Sequence, residues 1–260
     1  MPVTAVDLAL AQRLADAAGE AIRPLFRADY ALEHKSDHSP VTEADRAAEA
    51  AMRRLLDAEA PGDGVIGEEY GEKPGVTGRR WVLDPIDGTI SFMAGRPIFG
   101  TLIALLEGDW PVLGVIDQPI VSDRWVGAIG RGTTLNGKAV RARRCSDLAQ
   151  AVLATSSPHY FFSDEQVAGY LSIAAKVDRY RVVYGGDCYN YGLLASGCLD
   201  LVCEAGLKLH DFAALVPIVE GAGGRMCDWQ GDPLTAESTG QVIALGDPAR
   251  TDDVLEALHG

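Results

Sequence analysis

The residues of this chain best able to do chemistry are carboxylates, and the informative ones fall in three short segments: Gly67-Glu68-Glu69, Asp84-Pro85-Ile86-Asp87-Gly88-Thr89 and His210-Asp211. Asp84 follows the apolar run Trp81-Val82-Leu83, which predicts a short strand ending at Asp84 and presenting its carboxylate at a sheet edge. Pro85 fixes φ and removes a donor, and Asp87 follows closely enough to share a cation with Asp84. Hard oxygen ligands of this kind suit magnesium, which is usually held by few carboxylates together with waters and substrate phosphate. Gly88-Thr89 then opens the backbone to an anion, because successive N–H groups at the start of a turn or helix cradle phosphate. Metal and N–H donors on one phosphate would neutralise charge that grows in the transition state. An Asp-Gly-Thr triplet alone is usually a capped turn; the longer pattern behind an apolar strand is the stronger signal. Chemistry through a phospho-aspartate uses Asp-x-Asp-Gly-Thr, and here one more residue separates the two aspartates. Attack by water is the expectation.

These segments need elements to hold them. Apolar residues at Leu8, Ala11, Leu14, Ala15, Ala18, Ile22 and Leu25 predict a helix within 4–27. Residues 33–40 are polar and end in proline, as in a loop or hairpin tip. Thr42 and Asp45 form a capping-box pattern that opens a second helix, stopped by Pro61-Gly62. A short strand, Val65-Ile66-Gly67, then delivers Glu68 and Glu69. Strands are expected at 99–106, 112–116 and 124–129, with an Asn136-Gly137 hairpin turn. Beyond about residue 145, strands at 152–155, 180–184 and 199–203 alternate with helices at 164–176, 189–196 and 212–221. That alternation predicts layered α/β packing, with 1–145 and 146–260 as two halves of one compact unit.

Composition narrows the function. With 37 acidic and 23 basic residues the net charge is −14, which argues against nucleic acid as a partner. No apolar stretch reaches the length of a membrane span, and the first ten residues lack the pattern of a secretory signal, so the expected location is cytoplasmic. Five cysteines with no Cys-x-x-Cys pair read as reduced, packed thiols rather than a zinc site or disulfide framework.

The segments Gly67-Glu68-Glu69, Trp81-Val82-Leu83-Asp84-Pro85-Ile86-Asp87-Gly88-Thr89-Ile90-Ser91-Phe92 and the late His210-Asp211-Phe212-Ala213-Ala214 resemble the inositol monophosphatase superfamily, in the expected order across nearly the whole chain. The text around Ser91-Phe92, 99–106, 114–119, 184–189 and 201–208 is most similar to histidinol-phosphate phosphatases of that fold. The resemblance implies a layered α/β/α/β/α sandwich of α+β type, a homodimer, and a magnesium-dependent phosphomonoester hydrolase with two to three ions per site. It implies Glu68, Asp84 and the Ile86 carbonyl as ligands of one ion, and Asp84, Asp87 and Asp211 as ligands of a second. A third ion would be held loosely through water near Glu68. Thr89, hydrogen-bonded to Asp45, would orient and deprotonate the attacking water, and the Gly88 and Thr89 amides would bind phosphate. Lys35 and Glu69 would lie close by.

Two positions depart from the inositol phosphatase pattern: Ser91-Phe92 replaces Asn-Phe, and His210-Asp211 replaces Trp-Asp. Ser91 fits the histidinol-phosphate group; His210 reads as a packing substitution or as a modulator of the metal site. Asp187 stands where small residues are usual, and Glu204 follows 17 residues on. Two carboxylates near the leaving group would suit a cationic substrate such as L-histidinol phosphate through charge-assisted hydrogen bonds. Neutral inositol would leave the extra buried charge poorly compensated. The competing readings are a helix N-cap for Asp187 and a surface acid at a strand end for Glu204. A broad inositol or sugar phosphatase is the alternative activity, and a non-catalytic descendant of the fold is the distant one.

Overall fold

The computed structural model describes residues 3–28, 32–34 and 40–259. Its first helix, Ala5–Ile22, starts at a Thr4–Asp7 capping box and buries Leu10, Ala11, Leu14, Ala15, Ala18 and Ile22 on one face. The second helix, Glu43–Glu59, starts at the Thr42–Asp45 box. Each box satisfies amides that a helix start leaves without intrahelical partners. These two helices pack on each other and cover one face of an eight-stranded sheet.

The order in that sheet is Lys138–Val140, Gly132–Leu135, Asp123–Ala128, Trp110–Gln118, Gly100–Glu107, Arg79–Asp87, Gly64–Gly67 and Gly71–Lys73. Pairing is antiparallel except between Gly64–Gly67 and Arg79–Asp87. Helices Tyr189–Ala195, Leu209–Phe212 and Leu215–Gly221 fill the space between its other face and a five-stranded sheet. The second sheet runs Val182–Tyr184, Leu153–Thr155, Leu201–Glu204, Val242–Leu245, Arg225–Cys227. Helices Asp164–Ala174 and Thr251–His259 pack on each other outside it, over Leu153, Leu201, Ile243 and Leu245. The result is the expected α/β/α/β/α stack.

Two details differ from expectation. The strand does not end at Asp84 but continues to Asp87. Pairing with the neighbouring strand breaks after Asp84↔Leu102 and resumes at Asp87↔Gly100. Pro85 has no N–H to donate at that break, and its carbonyl instead accepts from Thr101 Oγ1 at 2.8 Å. The expected helix at 212–221 is two short helices, Leu209–Phe212 and Leu215–Gly221. All five cysteines are free, with Cys198 alone exposed. Among the described residues no helix is long and apolar enough to cross a membrane.

Candidate active site

The parallel pair Gly64–Gly67 and Arg79–Asp87 is in register at Gly67↔Leu83, so Glu68 and Asp84 leave it side by side. Glu68 N donates to the Leu83 carbonyl at 3.1 Å, and the Glu68 and Asp84 side chains are hydrogen-bonded. Asp84 is 1 % exposed, and its Oδ1 accepts from Ile86 N at 3.1 Å. The break in pairing after Asp84 turns Asp87 back toward it. Asp211 arrives from the far half on the helix Leu209–Phe212, its Oδ2 held by Lys208 N at 2.7 Å. One oxygen each from Asp84, Asp87 and Asp211 lie within 4.8 Å of one another. Glu68 borders this trio through Asp84.

Three carboxylates this close cannot all carry charge without a cation. Burial, followed by the charges of Glu68, Asp87 and Asp211, pushes Asp84 well above the usual carboxylate range. Burial and then Asp187 and Asp211 do the same to Asp87. Asp211 is raised by burial, against the pull of His210, whose Nε2 lies 3.5 Å from Asp211 Oδ1. His210 therefore leans on a member of the trio rather than packing away from it. An all-oxygen set under mutual repulsion fits a hard divalent cation such as magnesium.

Gly88 follows at φ 88° and starts the short helix Thr89–Met93. A side chain there would be strained, and its Cβ would stand 2.5 Å from Asp187 Oδ2. Asp187 thus lies directly against the turn that begins this helix, where N–H groups lack intrahelical partners. Ser91 Oγ, one turn into the helix, donates to Asp187 Oδ2 at 2.9 Å. Asp87 Oδ2 accepts from Cys188 N at 2.6 Å. These two bonds join the halves of the chain at the site.

Asp187 does not cap the following helix: Cys188 is the N-cap residue of Tyr189–Ala195, and no side chain caps it. Asp187 itself holds φ 42°, a conformation that Asp and Asn tolerate better than most residues. Glu204 is not a surface acid. It is 3 % exposed, and burial above all pushes its pKa up to about 8. Ser156 links the pair, donating from its N to Glu204 Oε1 at 2.7 Å and accepting from Asp187 N on its Oγ at 3.1 Å.

The expected Thr89–Asp45 hydrogen bond is not formed. Thr89 Oγ1 donates to the Ile86 carbonyl at 3.2 Å, and Asp45 Oδ2 accepts both Thr42 N and Thr42 Oγ1, at 2.8 and 2.5 Å. The capping box takes one oxygen of Asp45; Oδ1 is buried with no partner among the described residues. Glu68 lies close enough to help raise the Asp45 pKa, after burial. Lys35 lies outside the described residues.

Ser156 and Tyr191 are absent from the sequence reading. The Tyr191 hydroxyl is buried without a partner among the described residues, and after burial the charges of Glu204 and Asp87 raise its pKa most. No sequence signal marks either residue, since a Ser after a strand and a Tyr in a helix are commonplace. Glu49 also escaped it, although a carboxylate four residues after Asp45 in an otherwise apolar stripe was a readable anomaly.

The inositol monophosphatase family profile matches residues 4–259. Bifunctional phosphatase IMPL2, chloroplastic, of Arabidopsis thaliana is 48% identical over 96% of this chain and 74% of its own length. A histidinol-phosphatase of Mycobacterium tuberculosis is 40% identical over 97% of this chain and 98% of its own. Among solved structures, an inositol monophosphatase from Zymomonas mobilis superposes with a TM-score of 0.90 at 52% identity, covering 99% of this chain and 100% of that one.

Proposed function

The chain belongs to the inositol monophosphatase family and is a phosphatase of that kind; within it, we propose a magnesium-dependent hydrolase of L-histidinol phosphate. The observation that carries the hydrolytic reading is the convergence of Asp84, Asp87 and Asp211 beside the Gly88 turn. Magnesium held by Asp84, Asp87, Asp211, Glu68 and the Ile86 carbonyl would supply Lewis acidity, easing loss of a proton from water and offsetting phosphate charge.

The chain's own groups do the rest. The Gly88 and Thr89 amides bind the phosphate and hold it in line for attack. The Thr89 hydroxyl orients the attacking water. In the working enzyme Thr89 Oγ1, which here donates to the Ile86 carbonyl, would turn to Asp45 through the buried Oδ1 that the capping box leaves unused. The strand Pro40–Thr42, which leads into Asp45, packs on the helix Thr89–Met93, in keeping with that pairing in the working enzyme.

The choice of ester rests on Asp187 and Glu204. Both are carboxylates raised by burial; the charge of Asp187 raises Glu204 further, while Asp187 is raised by Asp211 and partly offset by Arg96. An ammonium or imidazolium on the leaving group would relieve that repulsion and gain charge-assisted hydrogen bonds. Three relatives named histidinol-phosphatase, 36% to 40% identical, support this reading. The Zymomonas mobilis likeness supports a second one, an inositol monophosphatase, in which a protonated Glu204 would meet hydroxyls.

Phosphate release from L-histidinol phosphate, inositol 1-phosphate and a simple alkyl phosphate separates the readings. We expect kcat/KM for histidinol phosphate to exceed the others by at least about tenfold, one charge-assisted contact's worth. Chelation of divalent ions should abolish all three activities, and added magnesium should restore them. Preference for inositol 1-phosphate would favour the second reading; turnover unaffected by chelation would contradict the metal assignment.

A further inference from the structure

Glu49 lies one helical turn after Asp45 on the helix Glu43–Glu59 and is fully buried at 0% exposure. Its carboxylate is spent on the turn that carries Glu68. Oε2 accepts from Glu69 N at 2.7 Å, and Oε1 accepts from Tyr70 N at 3.2 Å. Oε1 also accepts from Arg53 Nε at 2.7 Å, and Arg53 Nη2 donates to the Gly71 carbonyl. One carboxylate and one guanidinium therefore grip the backbone of residues 69–71, directly after Glu68.

Gly67 makes the approach possible. A Cβ at that position would fall well inside van der Waals contact of Glu49 Oε1. The strand thus ends on a residue without a side chain where the helix carboxylate reaches across, and Glu68 follows at once. A salt bridge serving only to hold helix to sheet would have no need of the two successive amides that follow a candidate ligand.

We propose that Glu49 is a positioning residue for the metal centre: by fixing the 69 and 70 amides it aims the Glu68 carboxylate at Asp84. Glu49 touches neither phosphate nor cation. The inference rests on the reading of Glu68 as a metal ligand, and it adds a specific dependence of metal affinity on a residue one layer further out. Partners of this kind, when removed, typically cost about 10- to 100-fold in metal affinity.

Direct binding of Mn2+, followed as free ion by electron paramagnetic resonance, tests it on wild type, Glu68→Gln, Glu49→Gln and Arg53→Gln. Glu49→Gln keeps the shape but cannot accept from both amides and Arg53 together. We expect it to bind Mn2+ at least about tenfold more weakly, with KM at saturating metal within about twofold of wild type. Arg53→Gln, at a partly exposed position, should shift affinity in the same direction by less. A tether role alone would lower the unfolding temperature of the metal-free protein and leave Mn2+ affinity where it was. Unchanged affinity in folded Glu49→Gln, alongside weakened binding by Glu68→Gln, would overturn the positioning role. Should Glu49→Gln not fold, unchanged affinity in Arg53→Gln would overturn it equally. Undiminished binding by Glu68→Gln would instead remove the ligand assignment on which the inference stands.

Discussion

Replacing Asp84 with asparagine leaves a folded protein whose magnesium-dependent phosphate release falls by at least about a thousandfold, roughly 4 kcal/mol of lost transition-state stabilisation. The substitution is nearly isosteric. Asn Oδ1 can still accept from Ile86 N, the bond that Asp84 makes at 3.1 Å. What disappears is one negative charge at the centre of the cluster, on the residue facing Glu68, Asp87 and Asp211 together. In metal-free protein that charge is a source of repulsion, so thermal unfolding under chelation should be unchanged or slightly later in the variant. Loss of activity with retained or improved metal-free stability is the signature of a ligand; loss of both would mark a structural role. Turnover within tenfold of wild type would refute the assignment.

The second large effect concerns which ester is accepted. Asp187→Asn should lower kcat/KM for histidinol phosphate by about 10- to 100-fold, the range of one hydrogen bond to a charged group. For inositol 1-phosphate the change should be within about threefold. Asparagine is the informative replacement, because it tolerates the φ of 42° that Asp187 adopts and can keep the bond from Ser91 Oγ. Alanine would add backbone strain and a gap beside Gly88, mixing two causes. Comparing the two substrates on the same variant removes general damage to the phosphate turn, since both share it. Equal losses on the two esters would mean that Asp187 serves the turn and not the leaving group.

Much of this was legible in the residues themselves. The Thr42–Asp45 box, the apolar run before Asp84 and the Asp-Gly-Thr turn are local patterns, each governed by backbone chemistry within a few residues. The layered order of helices and strands followed from the same periodicities. What stayed hidden was set by distance in the chain. Strands Arg225–Cys227 and Val242–Leu245 are too short, and the latter too fully buried, to show alternation. The helix Thr251–His259 was not foreseen either. The reach of the strand past Asp84 depends on Thr101, which answers the Pro85 carbonyl from the neighbouring strand.

At the site the division is the same. Residue types proposed oxygen ligands, but only the fold brings Asp211 to Asp84 and Asp87. Asp187 and Glu204 each had a mundane reading available, as cap and as surface acid. An uncapped Cys188 and 3 % exposure for Glu204 removed those readings, and neither fact is written in local sequence. The Thr89–Asp45 bond shows the reverse. It was expected from resemblance, while a local competitor, the capping box with Thr42, holds one carboxylate oxygen of Asp45.

Anomalous diffraction at the manganese edge, from crystals of the wild-type protein equilibrated with Mn2+, asks the central question without recourse to turnover. The account predicts a strong peak at ordinary coordination distance, about 2.1 Å, from one oxygen each of Asp84, Asp87 and Asp211. Manganese density elsewhere on the protein, with none between those three carboxylates, would contradict it.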